Sequence, residues 1–164
     1  IGLAWWALDM PFLKRYSEEK IKRNPELRGK DISSMKKSFT RFSRYPVSIF
    51  IFAEGTRFTK EKKDLQSSPF NNLLLPKPGG IGLTLSTMPY INKMIDFSIK
   101  YESDKKTFWA FLCGEMNEAI VKVNLIDIPQ KLLGGDYSED EIYRDDLKNW
   151  LYDIWQEKDK FLGS

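Results

Sequence analysis

Phe52-Ala53-Glu54-Gly55-Thr56-Arg57 places a carboxylate, a glycine, a hydroxyl and a guanidinium in four consecutive positions after an apolar run. These groups suit the binding of an oxyanion. Arginine offers a planar fork of donors that matches phosphate. Glycine lets the backbone approach closely and adopt positive φ. Glu54 can orient Arg57 or accept from a substrate hydroxyl. The same four residues would also make a plain strand-to-loop turn with a surface Glu–Arg pair, and their types alone leave both readings open.

Other reactive residue types have plainer readings. The chain contains no histidine, which removes the commonest general base and the commonest transition-metal ligand. Cys113 closes the apolar run Phe108-Trp109-Ala110-Phe111-Leu112 and reads as a buried structural thiol rather than a nucleophile. Asp140, Glu141, Asp145 and Asp146 open a helical pattern, where the helix dipole favours acidic residues, so no metal site is expected there. Gly79-Gly80-Ile81-Gly82 has the wrong spacing for a dinucleotide-binding turn.

The elements around the Glu54–Arg57 segment interleave strands and helices, which predicts an α/β domain. Val47 to Phe52 is a short β-rich run, expected as a buried central strand that delivers Glu54–Arg57 to its carboxyl end, where open α/β sheets bind ligands. A polar loop with Lys60, Lys62, Lys63 and Asp64 follows. Pro76-Lys77-Pro78-Gly79-Gly80 then punctuates the chain before a short helix over Ile81 to Thr87. Three further strands are predicted, Met94 to Tyr101, Thr107 to Gly114 and Ala119 to Ile128, the last with a phase shift at Leu125-Ile126 that suggests a bulge. A final helix is expected from about Ser138 to Phe161, opened by a Ser138–Glu141 capping box, with Tyr143, Leu147, Trp150, Leu151 and Ile154 as its apolar stripe. Its acidic polar face favours packing on the core over lying on a bilayer. Upstream, Ser17 can cap a helix over Glu18 to Arg23, and Asp31 a second one reaching about Arg44.

At 164 residues the chain suits one domain, and its 41% hydrophobic and 14% aromatic content argues against disorder. One cysteine excludes an internal disulfide framework and fits a reducing compartment or a cytoplasmic membrane face. The net charge of +3 hides an asymmetry. Lys14 to Arg44 holds eleven basic and four acidic residues, whereas Gly134 to Ser164 holds four basic and nine acidic. The basic stretch suits the phosphates of lipid headgroups or of nucleic acid, or is simply solvated. Its Phe39 and Phe42 fit a core face better than base stacking, so no nucleic-acid partner is expected. Ile1 to Phe12 is too short to span a bilayer; Trp5-Trp6 within it suits either a lipid surface or a core.

Glu54-Gly55-Thr56-Arg57, with its apolar lead-in and aromatic residue, resembles the E-G-T-R block of the lysophosphatidic acid acyltransferase family, which usually has proline where this chain has Ala53. Three further segments are similar to family blocks in the same order: Gly2 through Phe12-Leu13-Lys14-Arg15, Lys77-Pro78-Gly79-Gly80, and Met88-Pro89-Tyr90. The resemblance covers roughly Ile1 to Tyr101, and the tryptophan-rich opening and Asn24 to Gly29 look nearest to the lysophospholipid and lysocardiolipin acyltransferase branch. It implies a central mixed, mostly parallel β-sheet flanked by helices, with the chain as the C-terminal portion of a catalytic domain. It implies transfer of a fatty acyl group from acyl-CoA or acyl carrier protein to a lysophospholipid hydroxyl, with no cofactor, at the cytoplasmic face of a bacterial inner membrane or an endomembrane.

By the same resemblance Arg15 and Arg57 would grip the acceptor phosphate, Lys14 and Lys77 would add positive potential, Gly55 and Thr56 would shape the turn, and Glu54 would fix Arg57 or an acceptor hydroxyl. The family's catalytic H-x-x-x-x-D block would precede Ile1. A non-catalytic relative that keeps the phosphate clamp and lacks the base is the alternative.

Overall fold

The computed structural model describes residues 48–164 apart from 104, 106 and 117. The chain divides into two compact units, Ile1–Phe50 and Ile51–Ser164, and every helix and strand among the described residues belongs to the second. The expected helices over Glu18–Arg23 and Asp31–Arg44 lie outside the described residues.

The elements run in the order α1 (Lys60–Leu65), α2 (Gly79–Thr87), β1 (Lys93–Tyr101), α3 (Phe108–Leu112), β2 (Ala119–Asp127), a 3₁₀ turn (Gln130–Leu132) and α4 (Glu141–Gly163). Helix α4 organises the core. Tyr143, Leu147, Leu151 and Trp155 recur every fourth residue, and all four are buried. They meet Phe70, Leu73, Ile81, Leu85, Ile128 and Leu132, while Trp150 and Ile154 pack at the margin. Polar tips on this face find partners, as burial demands. Tyr143 Oη donates to Leu132 O at 2.9 Å, and Trp155 Nε1 donates to Leu74 O at 3.1 Å. Near its C-terminal end, the Asp159 carboxylate accepts from the Asn71 and Asn72 amides at 2.8 and 2.7 Å. These bonds fix the segment between α1 and α2 against α4.

Helix α2 approaches the segment before α4 closely. A Cβ on Gly82 would fall inside the Tyr137 ring, so only glycine lets that ring lie on the helix. The Tyr137 amide also donates to Ser86 Oγ at 3.2 Å.

The fold is mixed α/β, but its sheet is not the expected one. Among the described residues it has two strands, and they are antiparallel: β1 pairs with β2 from Lys93↔Asp127 to Tyr101↔Ala119. Residues 48–52, expected to end a central strand, form no ladder, and Phe50 and Phe52 are exposed. A strand exists by its partner, and β1 and β2 pair with each other instead. The register runs unbroken through Leu125 and Ile126, so the expected bulge is absent. The predicted strand Thr107–Gly114 is the short helix α3, because Thr107 Oγ1 accepts from the Ala110 amide at 3.1 Å and caps it. Continuous apolar runs do not separate strand from helix. Cys113, expected to be buried, is exposed just after α3. The loop expected at Lys60–Asp64 contains α1, capped by Thr59.

The two faces of the sheet are inverted relative to the usual amphipathic pattern. Ile95, Phe97, Ile99 and Tyr101 stand opposite Leu125, Val123, Val121 and Ala119, and this apolar face is exposed. The other face, with Met94, Asp96 and Ser98, is turned inward; Asp96 pairs there with Lys158 of α4. Both partners are about nine-tenths buried, and Lys158 Nζ also lies 4.7 Å from the Trp155 ring centre.

Candidate functional site

The site begins where the apolar run turns. Gly55 N donates to Phe52 O at 2.9 Å, closing a tight turn over residues 52–55. Gly55 itself has φ +69°, a conformation that an L side chain resists. Ala53 anchors the turn to the core: it is buried, and its carbonyl accepts from Lys77 N at 2.7 Å. The Lys77 backbone is thereby stitched to the turn, and its side chain folds over Gly55. Lys77 Cδ and Nζ lie 3.5 and 3.6 Å from where a Gly55 Cβ would stand. Two segments about twenty residues apart in sequence thus bring an ammonium against a glycine turn, and the sequence placed both in the site.

Thr56 and Arg57 follow the turn and are exposed. They meet a residue the sequence reading passed over as loop charge. Lys62 Nζ donates to Thr56 Oγ1 at 2.7 Å and to Arg57 O at 3.1 Å. The signal for it was the N-cap of α1: Thr59 Oγ1 accepts from Lys62 N at 3.3 Å, which sets Lys62 in a first helical turn six residues after Thr56.

Glu54 is half-buried, and no ion pair joins it to Arg57 among the described residues. Burial pushes its carboxyl above the usual carboxylate range, and the Leu74 backbone and the Lys158 charge pull it partly back. Glu54 is thus the partly buried member of the segment, and Arg57 an exposed one. The expected Arg15 and Lys14 lie outside the described residues. The acidic residues near the start of α4 have local roles: Asp140 caps the helix, Asp145 pairs with Lys148 at 2.8 Å, and Asp146 with Lys131 at 2.8 Å.

The arrangement is a glycine turn with the Thr56 hydroxyl and two ammonium groups, Lys62 and Lys77, around it, and the exposed Arg57 next in the chain. Such a set of donors can bind a multiply charged oxyanion. Comparison with known proteins finds distant relatives among lysophospholipid acyltransferases, in keeping with the resemblance to the lysophosphatidic acid acyltransferase family. Two relatives make it particular. The chain is 25% identical, over a 173-position alignment that covers 98% of it, to a human protein described as 1-acyl-sn-glycerol-3-phosphate acyltransferase delta. It is 26% identical, over a 137-position alignment that covers 72% of it, to the 2-acyl-1-lysophosphatidylinositol acyltransferase of Saccharomyces cerevisiae. The chain spans 40% of the human protein and 32% of the yeast protein. No family model matches the chain. No solved structure matches it.

Proposed function

We propose that the chain is part of an O-acyltransferase that moves a fatty acyl group from an acyl thioester, acyl-CoA or acyl carrier protein, to a hydroxyl of a phosphate-bearing lysophospholipid. The observation that supports this most directly is the 52–57 turn, where Gly55, Thr56 and Arg57 stand beside Lys62 and Lys77. The names of the relatives support a lysophospholipid acceptor, since one acts on a 1-acyl-glycerol-3-phosphate and another on a lysophosphatidylinositol. The turn's task is to hold the phosphate, so that the acceptor hydroxyl is presented in one orientation to the donor carbonyl.

Chemistry at that hydroxyl needs a proton acceptor, and the chain has no histidine. The family's histidine–aspartate block belongs to the intact protein in this proposal, whereas the expected partners Lys14 and Arg15 are in this chain. No metal or organic cofactor enters the reaction proposed. The site of action is the cytoplasmic face of a membrane, where the lysolipid resides. Among the described residues no helix is long and apolar enough to cross a membrane.

The test is Arg57→Ala in the intact protein, assayed with acyl-CoA against lysophosphatidic acid and lysophosphatidylinositol. Losing a charge-assisted contact of about 1.5–3 kcal/mol predicts a KM for the lysolipid raised on the order of tenfold to a hundredfold, or lost turnover. Wild-type kinetics in that variant would sink the proposal. An intact protein that binds lysophosphatidic acid, loses that binding with Arg57→Ala and never transfers an acyl group is instead a non-catalytic lipid-phosphate binder.

A further inference from the structure

We infer that Lys62 is a positioning residue of the phosphate turn, acting through the hydroxyl of Thr56. The inference rests on the reading of residues 52–57 as a phosphate site. A threonine hydroxyl has one proton to give and two lone pairs to receive. Left alone, the Thr56 rotor can turn that proton toward any nearby acceptor. Here Lys62 Nζ donates to Thr56 Oγ1 at 2.7 Å, and an ammonium has no lone pair to take a proton in return. The hydroxyl proton is therefore directed away from Lys62, and the positive charge polarises the O–H toward stronger donation. A phosphate oxygen in the turn is the acceptor this geometry suits.

The second bond of Lys62 fixes the next residue. Its Nζ donates to Arg57 O at 3.1 Å, so one ammonium holds both a side-chain and a main-chain oxygen of consecutive residues. That restricts the backbone from which the Arg57 guanidinium departs. Lys62 is itself held, because its amide is bound by Thr59 Oγ1 and the amide of Lys63 donates to Thr59 O at 3.0 Å. Among the described residues no carboxylate pairs with Lys62, so the turn oxygens are its partners there. Holding a flexible four-carbon stem in one geometry has an entropy cost that the two bonds must offset.

The experiment uses the intact protein with acyl-CoA and lysophosphatidic acid, and compares Lys62→Met, Lys62→Arg, Thr56→Val and the Lys62→Met/Thr56→Val double variant, with Arg57→Ala alongside. Lys62→Met keeps the length of the side chain and removes the donors. It is expected to raise the lysophosphatidic acid KM about tenfold with kcat within about twofold, since a charged hydrogen bond is lost from binding rather than from chemistry. Lys62→Arg restores most of that loss. Adding Lys62→Met to Thr56→Val costs much less than it does alone, because the two act as a unit. Melting temperatures check that the variants fold; helix α1 has no buried residue, so little change is expected. Should Lys62→Met fail to fold, Thr56→Val and Lys62→Arg carry the comparison.

A raised KM in Arg57→Ala with an unchanged KM in Lys62→Met would overturn the role of Lys62 and leave the phosphate site standing. Additive losses in the double variant would overturn the coupling through Thr56. Unchanged KM values in both Arg57→Ala and Lys62→Met would overturn the phosphate site, and the role of Lys62 with it.

Discussion

Glu54 is the residue whose surroundings differ most from its expected role. Its place in the sequence suggested an ion pair with Arg57, yet the carboxylate is half-buried behind the turn and its protonated form is favoured by desolvation. The consequence for stability has a definite sign. A carboxyl whose folded pKa lies above its unfolded value binds its proton more tightly in the folded state, so folding stability rises as pH falls from neutrality through the raised pKa. The gain is complete below the ordinary glutamate value of 4.5. Glu54→Gln removes the ionisation and should flatten this part of the pH profile, with a gain in stability at neutral pH. Chemical denaturation at several pH values from about 4 to about 8 checks it; a profile identical to wild type would mean that burial of Glu54 carries no penalty. At this scale the sequence was informative about types and less so about directions. The turn at Gly55 was legible because a glycine follows the apolar run, and Lys77, expected only from the resemblance, does fold over it. Lys62 was not, because its contact depends on a short helix whose only mark is Thr59.

Helices and strands divide along the same line. Helix α4 was legible because Tyr143, Leu147, Trp150, Leu151 and Ile154 keep one helical face over three turns. Its expected start lies three residues too early, and its expected cap two. Ser138 and Glu141 have the spacing of a capping box, but the cap is Asp140, whose Oδ1 accepts from the Tyr143 amide at 3.0 Å. Several acidic and hydroxyl residues in a row each suit a cap, and the chain direction entering the helix selects among them. Asp140→Ala should therefore cost about 1 kcal/mol of stability and Ser138→Ala only a few tenths, as read from urea midpoints. A larger loss at Ser138 would restore the capping box. Helix α3 shows the opposite case. Five residues with four exposed large side chains, Phe108, Trp109, Phe111 and Leu112, carry no usable period, and the Thr107 cap decides their conformation. Strands β1 and β2 lie where strands were expected, and their alternation persists whichever face is turned inward.

That last point governs the folded unit as a whole. Alternation in β1 and β2 implies one apolar face, and the ordinary inference is that this face meets the core. Here the core is built by α4, α2 and the turns, and α4 meets the sheet on its polar side through Lys158 and Asp96. The resemblance implied a central, mostly parallel sheet; the described residues hold an antiparallel pair whose apolar face stays in water. Seven large side chains, Ile95, Phe97, Ile99, Tyr101, Val121, Val123 and Leu125, lie together on it. Single exposed apolar residues are ordinary, but a contiguous face of this kind drives association in water. The 164-residue chain in aqueous buffer is thus expected to associate as its concentration rises, with no fixed stoichiometry. Phe97 and Val123 stand directly opposite each other at the middle of the face. Replacing them as a cross-strand pair, Phe97→Lys with Val123→Glu, breaks the patch while the opposite charges support the pairing by about 0.2–1 kcal/mol. Sedimentation velocity over a concentration series should show association suppressed in the double variant, with the far-ultraviolet circular dichroism of the wild type retained. Undiminished association in a folded double variant would place the driving surface elsewhere, with the exposed side chains of α3 the next to change.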